Sequence, residues 1–541
     1  MKYLITLSCS ILFFYCNGQW SINPAVNTPV CTALNKQVDP RIIEDGNGGA
    51  IIVWKDYRNP MPDVYVQRID KNGMIKWAVD GVGACTDAAD QSTPNICEDG
   101  QGGCIISWSD WRSGIERDIY AQRLDSNGNV LWISNGVVVT NKPNREHNEK
   151  IVSDGLGGAI IVWEEQDANG NWDEWGQRIN ASGTTLWAPG GVPLSTTYSN
   201  KINGRIEADG LGGAFIVWQD FRNGTDYDIY GQHLDALGNK VWGPAAKMIC
   251  NAPGTQASPK IEPDGLGGFY TAWIDARQTD NDIYAQHVDL NGTLTWPNNG
   301  VPVCITIGNQ SALDILSDPT VDGLICSWKD NRNGDYDIYA QRISPTGLTQ
   351  WNINGLAVCT NNYDQLNPNI AIDNMGGAII TWQDSLNLNF DIRAQRVNAG
   401  GTLLWANAGV NVAIAIGDQT SVKNCTDGAT GSIFVFMDKR SGVNDIYVHH
   451  IYGTGFSYSL AALESGTNPT LDVYPNPTQS TLNIHSSTSI DNIEWQSLDG
   501  KLMATFQKNQ SSLDVTKYPR GSYLLHVYIG ETHLVKHVIL Q

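Results

Sequence analysis

An all-β chain, an eight-bladed β-propeller with four-stranded blades followed by a small β-sandwich, is what this sequence predicts, and three observations predict it. A unit recurs eight times at a spacing of 54 or 55 residues, marked by Trp54, Trp108, Trp163, Trp218, Trp273, Trp328 and Trp382, with Phe436 in the eighth place. A fixed period of this size is the signature of a repeat architecture. Each unit contains four short runs with β alternation, interrupted by Gly and Asn, and nothing with helical spacing. The two ends of the array also complement each other. The eighth copy lacks a closing tryptophan, while Trp20 followed by Pro29-Val30-Cys31 matches that piece, as Trp351 is followed by Ala357-Val358-Cys359. Four antiparallel strands per unit make a blade. An N-terminal strand that completes the last blade closes the ring and removes the unpaired edges of an open array.

Within a unit, strand A is a Pro-x-Ile run such as Pro94-Asn95-Ile96-Cys97. The turn Asp99-Gly100-Gln101-Gly102-Gly103 follows, where glycine takes φ > 0 at little cost. Strand B ends at the first tryptophan and leads into Trp-x-Asp-x-Arg, with Asp56 and Arg58, Asp110 and Arg112, Asp220 and Arg222, Asp275 and Arg277, and Asp330 and Arg332. Strand C reads Asp-Ile-Tyr-Ala-Gln-Arg, as at Asp118 to Arg123. Strand D is expected to end in the closing tryptophan (Trp77, Trp132, Trp187, Trp242, Trp296, Trp351, Trp405) and its Gly-Val-x-Val-Cys tail. Domain boundaries follow: a segment 1–18, the propeller 19–455, a linker 456–470 rich in Gly, Ser, Thr and Ala, and a C-terminal domain 471–541.

Residues 1–18 carry one Lys, a short apolar run and small residues at the end, the pattern of a secretory signal peptide. That run is too short to span a bilayer, and no other segment is long and apolar enough. The formal net charge of −21 argues against a nucleic-acid backbone as partner and suits an exported protein. Nine cysteines follow the signal segment. Cys31, Cys85, Cys250, Cys304 and Cys359 share one register position, which reads as a small buried hydrophobe. Cys97 and Cys104 flank one hairpin and form the best disulfide candidate.

The C-terminal domain contains Tyr474-Pro475-Asn476-Pro477, Leu482-Asn483-Ile484, Gly521-Ser522-Tyr523 and a terminal Lys536-His537-Val538-Ile539. Its short alternating runs and tight turns predict a β-sandwich. In order and spacing these marks resemble the type A C-terminal sorting domain of the type IX secretion system of Bacteroidota. The resemblance covers about the last seventy residues. It implies the type IX machinery as partner and a secreted or outer-membrane-surface location. The repeats resemble the long propeller repeats of secreted proteins from such bacteria, a resemblance that carries no assigned activity.

No catalytic residue stands out: there is no nucleophile elbow, no His-Glu-x-x-His and no phosphate-binding loop. The Asp and Arg of Trp-x-Asp-x-Arg recur in most blades, whereas a catalytic pair is needed once, so they read as a turn-fixing ion pair. Asp226 and Asp228, Asp280 and Asp282, and Asp335 and Asp337 place carboxylates two apart, as a calcium site requires, against plain loop acidity; no blade has the fuller Asp-x-Asp-x-Asp-Gly loop. No other cofactor is indicated.

The A–B and C–D turns are uniform. The B–C and D–A loops, which fall on the opposite face, vary, and the B–C loops carry extra aromatics: Tyr57, Trp111, Trp172, Phe221, Tyr227, Tyr336 and Phe390. The third unit departs furthest, with Trp163-Glu164-Glu165-Gln166 in place of the Asp-x-Arg pattern. Aromatic rings beside Asp, Asn and Arg serve sugar and protein recognition, and they also serve packing between blades. The expected function is binding of a glycan or protein through the variable face. The alternatives are a glycan-active hydrolase or lyase whose carboxylates meet over the central channel, and a structural surface component.

Overall fold

A computed structural model describes residues 20–317, 323–385, 389–406, 408–457, 471–486, 489–497, 501–506, 510–529 and 532–541. The signal segment 1–18 and most of the 456–470 linker lie outside the described residues. The chain divides into two compact units, one ending at Gly455 and the other beginning at Phe456. Among the described residues no helix is long and apolar enough to cross a membrane.

The first unit holds eight four-stranded antiparallel sheets. Blade 1 consists of Gln37–Glu44, Ala50–Asp56, Asp63–Ile69 and Val82–Cys85, hereafter strands A to D. Strands A of blades 2 to 8 are Gln91–Glu98, Arg145–Ser153, Lys201–Ala208, Gln256–Pro263, Gln310–Ser317, Gln365–Ile372 and Gln419–Thr426. Each contacts strand A of both neighbours, and the last contacts the first, so these strands form a closed inner ring. Blade 8 takes its outer strand from the start of the chain: Thr28–Cys31 pairs with Asp445–Ile451. The ring is the eight-bladed propeller that the repeat count requires.

One detail differs from the sequence expectation. The closing tryptophan precedes strand D, which is the Val-x-Val-Cys tail alone, as in Val82–Cys85. The tryptophan lies between blades and ties them together. Trp77 Nε1 donates to Ser126 O of the next blade at 3.2 Å, and Trp132, Trp187, Trp296, Trp351 and Trp405 do the same. Trp20 Nε1 donates to Lys71 O at 2.9 Å, closing the circle at blade 1. The ring of Trp77 covers Gly128 (φ 84°) so closely that a Cβ there would sit 2.7 Å from it, which accounts for glycine in that turn.

The tryptophan at the end of strand B is fully buried in every blade that has one. In blade 1, Trp54 Nε1 donates to Asp56 Oδ2 at 2.8 Å, and Arg58 donates to both oxygens of the same carboxylate. The Arg58 guanidinium lies 3.7 Å above the Tyr65 ring of strand C. Blades 2, 4, 5 and 6 repeat this arrangement, and blade 8 keeps the ion pair and stacking through Asp438, Arg440 and Tyr447. These ion pairs are structural.

All nine described cysteines are free thiols. The Cys97–Cys104 disulfide is not formed, and the register gives the reason. Cys97 lies opposite Ile105, and Cys104 lies opposite Glu98, so the two thiols point to opposite faces of the sheet and enter different cores.

The second unit packs a three-stranded sheet (Leu471–Tyr474, Thr481–Ser486, Ser512–Asp514) with a four-stranded one (Asn492–Ser497, Leu502–Phe506, Gly521–Ile529, Thr532–Leu540). Leu482, Trp495, Leu513, Leu525 and Val538 share one buried core.

Candidate functional site on blades 2 to 4

Blade 3 breaks the repeat at five buried positions. Glu146 stands where six other blades have Gln, Glu149 where four have Pro, Glu165 where the others have Asp, and Glu174 where the others have Val or Ile; Glu164 replaces a varied residue. Burying a carboxylate in place of Ile is unfavourable unless it is held by donors. Glu174 accepts from Gly204 N at 2.7 Å, and a Cβ on residue 204 would come within 2.4 Å of its carboxylate, so glycine there makes the room. Glu149 accepts from Thr93 Oγ1 at 3.0 Å and Ser109 Oγ at 2.9 Å. Glu164 accepts from Asn148 Nδ2 at 2.5 Å and Asn203 N at 2.8 Å. Burial pushes the carboxyls of Glu149 and Glu174 up, with the facing Glu164 adding to the effect on Glu174, and pushes Glu146 up to about 8.

Beside these residues the variable face opens into a cleft of about 600 Å³ lined by Thr93, Ser109, Arg117, Arg145, His147, Asn148, Glu164 and Asn203, among others. His147 Nδ1 lies 3.7 Å from Glu164 Oε2, and burial lowers the imidazole pKa. Arg117 pairs with Asp90 at 3.1 Å. Two indoles flank the cleft. Trp172 packs on His147 with ring centroids 4.2 Å apart, and the Arg145 guanidinium is 5.8 Å from the Trp172 ring. Trp111 lies 5.8 Å from Arg117 and is 39% exposed.

Of the sequence-predicted site residues, Trp172 packs on His147 and Trp111 lies near Arg117, two residues of the cleft lining. Tyr57 sits under Lys36 and Lys55 on blade 1, and Tyr336 under Lys329 on blade 6. Phe221 and Tyr227 pack on each other, 5.1 Å apart, on blade 4. Glu164 and Glu165 stood out in the sequence as the departure of the third unit, whereas Glu146, Glu149 and Glu174 were missed. Their signal was present as acidic residues at register positions that other units fill with Gln, Pro or Ile.

The paired aspartates have local duties. Asp226 Oδ2 accepts from Gly254 N at 3.0 Å, Asp280 Oδ2 from Gly308 N at 3.1 Å, and Asp335 Oδ2 from Tyr363 N at 3.0 Å, each holding the next blade's D–A loop. Burial pushes Asp228 and Asp282 up to about 6. Among the described residues no group of three acidic, His or Cys side chains gathers as a metal site.

Residues 472–541 match the family described as the secretion system C-terminal sorting domain. The tail is that sorting domain; it engages the type IX machinery and directs export to the cell surface or the medium. No curated protein matches the chain. Similar solved structures include a protein of unknown function from Dyadobacter fermentans (9% identity, TM-score 0.35, covering 67% of this chain and 95% of that one). An endo-arabinase from Bacteroides thetaiotaomicron has 15% identity and TM-score 0.29, covering 52% and 99%. A PL25 ulvan lyase has 10% identity and TM-score 0.40, covering 83% and 99%. Likeness at this level carries no argument about activity, and the fold assignment rests on the strand order itself.

Proposed function

We propose that the exported propeller binds a glycan or protein through its variable face, with the cleft on blades 2 to 4 as the contact site. The observation that carries this reading is the coincidence of the cleft with the one blade that buries glutamates in place of Gln, Pro and Ile. Such substitutions cost stability, and perturbed carboxylates in a cleft are a physical mark of functional-site candidates. The lining favours a sugar: hydroxyl, amide and guanidinium donors line the cleft, and Trp172 and Trp111 stand beside its lining residues His147 and Arg117 as apolar platforms. A signal peptide at 1–18 would deliver the chain to the periplasm, upstream of the sorting domain.

The test is a glycan-array screen of the full mature chain with calcium and with chelator. Binding that Trp172→Ala abolishes supports the cleft; calcium-dependent binding supports a metal role for the aspartate pairs. A blank in both conditions rejects the glycan reading and leaves a protein ligand or a structural role. A second reading, a hydrolase or lyase, is favoured by the raised carboxyls of Glu149 and Glu174 together with the approach of His147 to Glu164. It requires that a bound glycan be cleaved and that Glu164→Gln stop cleavage while binding persists.

A further inference from the structure

One register position of the inner ring carries a charge pattern opposite to that of the protein as a whole. At the central position of the Pro-x-Ile run, blades 1 to 8 place Arg41, Asn95, Lys150, Arg205, Lys260, Asp314, Asn369 and Lys423. Five of the eight are cations and one is an anion, in a chain with 56 acidic and 35 basic residues. Just before this position each strand A carries a residue with positive φ, from Asp39 (55°) through Asn203 (60°) to Ser421 (54°), and the pairing with strand B shifts there. The shift is a β-bulge, which re-aims the side chains that follow it. The same device in every blade sets one level of the ring.

These side chains share one interior space. Arg41 of blade 1 interacts electrostatically with Lys150 of blade 3, Arg205 of blade 4 and Lys423 of blade 8, and Lys423 also with Lys260 and Asp314. Blades 1 and 4 are not neighbours, so such coupling runs across the centre. Lys260 pairs with Asp314 at 2.8 Å, whose second oxygen accepts from Asn369 at 2.5 Å. Among the described residues the other four cations have no carboxylate within ion-pairing distance. Lys150, Arg41 and Arg205 donate only to carbonyl or amide oxygens of their own strand. All five remain partly solvent-accessible. Burial pushes the amines of Lys150 and Lys423 down to about 8, with the neighbouring cations adding to it and Glu149, Glu174 and Asp314 opposing it.

Converging like charges are unfavourable, here only partly offset by Asp314 and the blade 3 glutamates, which act on Arg41, Lys150, Arg205 and Lys423 without pairing with them, and guanidinium and ammonium groups facing one space are the donor set for an oxoanion. We propose that the central channel is an anion site, in which Arg41, Lys150, Arg205 and Lys423 bind a sulfate or phosphate group, free or carried as an ester on a polymer. The acidic outer surface then repels polyanions in general while the channel selects a group narrow enough to enter it. This level borders the buried glutamates of blade 3, since Lys150 interacts with Glu149 and Glu174, and Arg205 with Glu174 and Glu164.

The experiment is thermal unfolding and calorimetric titration of the full mature chain with sodium sulfate, sodium phosphate and a sulfated oligosaccharide, against sodium chloride at equal ionic strength. The expected result is a saturable rise in Tm with sulfate or phosphate beyond that with chloride. Lys423→Met is expected to weaken that binding about tenfold or more, and to raise Tm in anion-free buffer by relieving repulsion. Lys150→Met provides the same comparison if the first variant does not fold. A sulfated oligosaccharide that binds more tightly than free sulfate and loses affinity in the same variant identifies an ester as the source; equal affinity identifies the free ion. Wild-type protein that responds to sulfate and phosphate no more than to chloride overturns the proposal. So does an unchanged response in a folded variant.

Discussion

Blade 6 and blade 3 solve the same packing problem with different residues. In blade 6, Trp328 donates to Asp330 at 2.9 Å, Arg332 grips both oxygens of that carboxylate, and its guanidinium covers Tyr339 at 3.9 Å. In blade 3 the anion is Glu165, the ring is Trp175, and the cation is Lys142, 2.6 Å from the carboxylate and 3.0 Å above the indole. The layering of anion, cation and ring is conserved while its chemistry changes. What differs is where the cation comes from. Arg332 belongs to the B–C loop and pins it down, whereas Lys142 arrives from the D–A loop. The B–C segment of blade 3 is therefore released to continue as a hairpin, Ala159–Gln166 paired to Trp172–Ile179 around a turn held by Asp167. That hairpin carries Trp172 to the cleft. An altered site was obtained here by moving one anchor.

The comparison can be broken most directly at the anions. Asp330→Ala leaves Arg332 and Trp328 without their buried acceptor and is expected to cost about 3–5 kcal/mol. Glu165→Ala is expected to cost less, because Lys142 can swing into water. Denaturant titrations of the two variants check this, and equal losses would remove the asymmetry. Next comes Glu146. Its folded pKa of about 8 lies above the ordinary 4.5, so its contribution to stability declines as pH rises from 4.5 through 8. Glu146→Gln, which restores the residue of the regular blades, is expected to gain on the order of 3 kcal/mol at pH 7 and nothing at pH 4. Stability curves at both pH values decide it; a pH-independent gain would refute the protonation argument.

A smaller effect separates the two indoles. Trp163 Nε1 has no hydrogen-bond partner among the described residues, whereas Trp328 donates to a carboxylate. Trp328→Phe should therefore cost about 1–2 kcal/mol more than Trp163→Phe. A reversed order in Tm would count against the local account. The smallest stability effect is expected for Trp172→Ala, within about 0.5–1 kcal/mol, since the ring sits at the rim. A large drop in Tm would reassign that indole to packing.

The fold was readable because repetition multiplies weak signals. One Ile-Ile-Val-Trp run is ambiguous, but eight at one spacing, with the missing piece found at Trp20, leave little freedom. The cysteine pair was misread because sequence proximity in a hairpin does not show which face each side chain takes; register decides that. The cleft was half legible. Trp111 and Trp172 stood out as tryptophans off register, whereas Glu149 and Glu174 looked like ordinary acidic residues until strand pairing buried them. The channel cations were the least visible, since they occupy the variable letter of Pro-x-Ile and become a group only when eight strands converge.

Ring closure sets an order of events. Thr28 pairs with Val448, so the contact that completes the barrel-like circle joins residues more than four hundred positions apart. Each inner hairpin can form from sequence close at hand, but the final blade waits for nearly the whole repeat array to emerge. Until then the first strand has no sheet, and both rims of the growing arc present unsatisfied amides. The slow step of folding is accordingly a long-range docking, and a chain interrupted before Ile451 carries seven blades with nothing to fasten them.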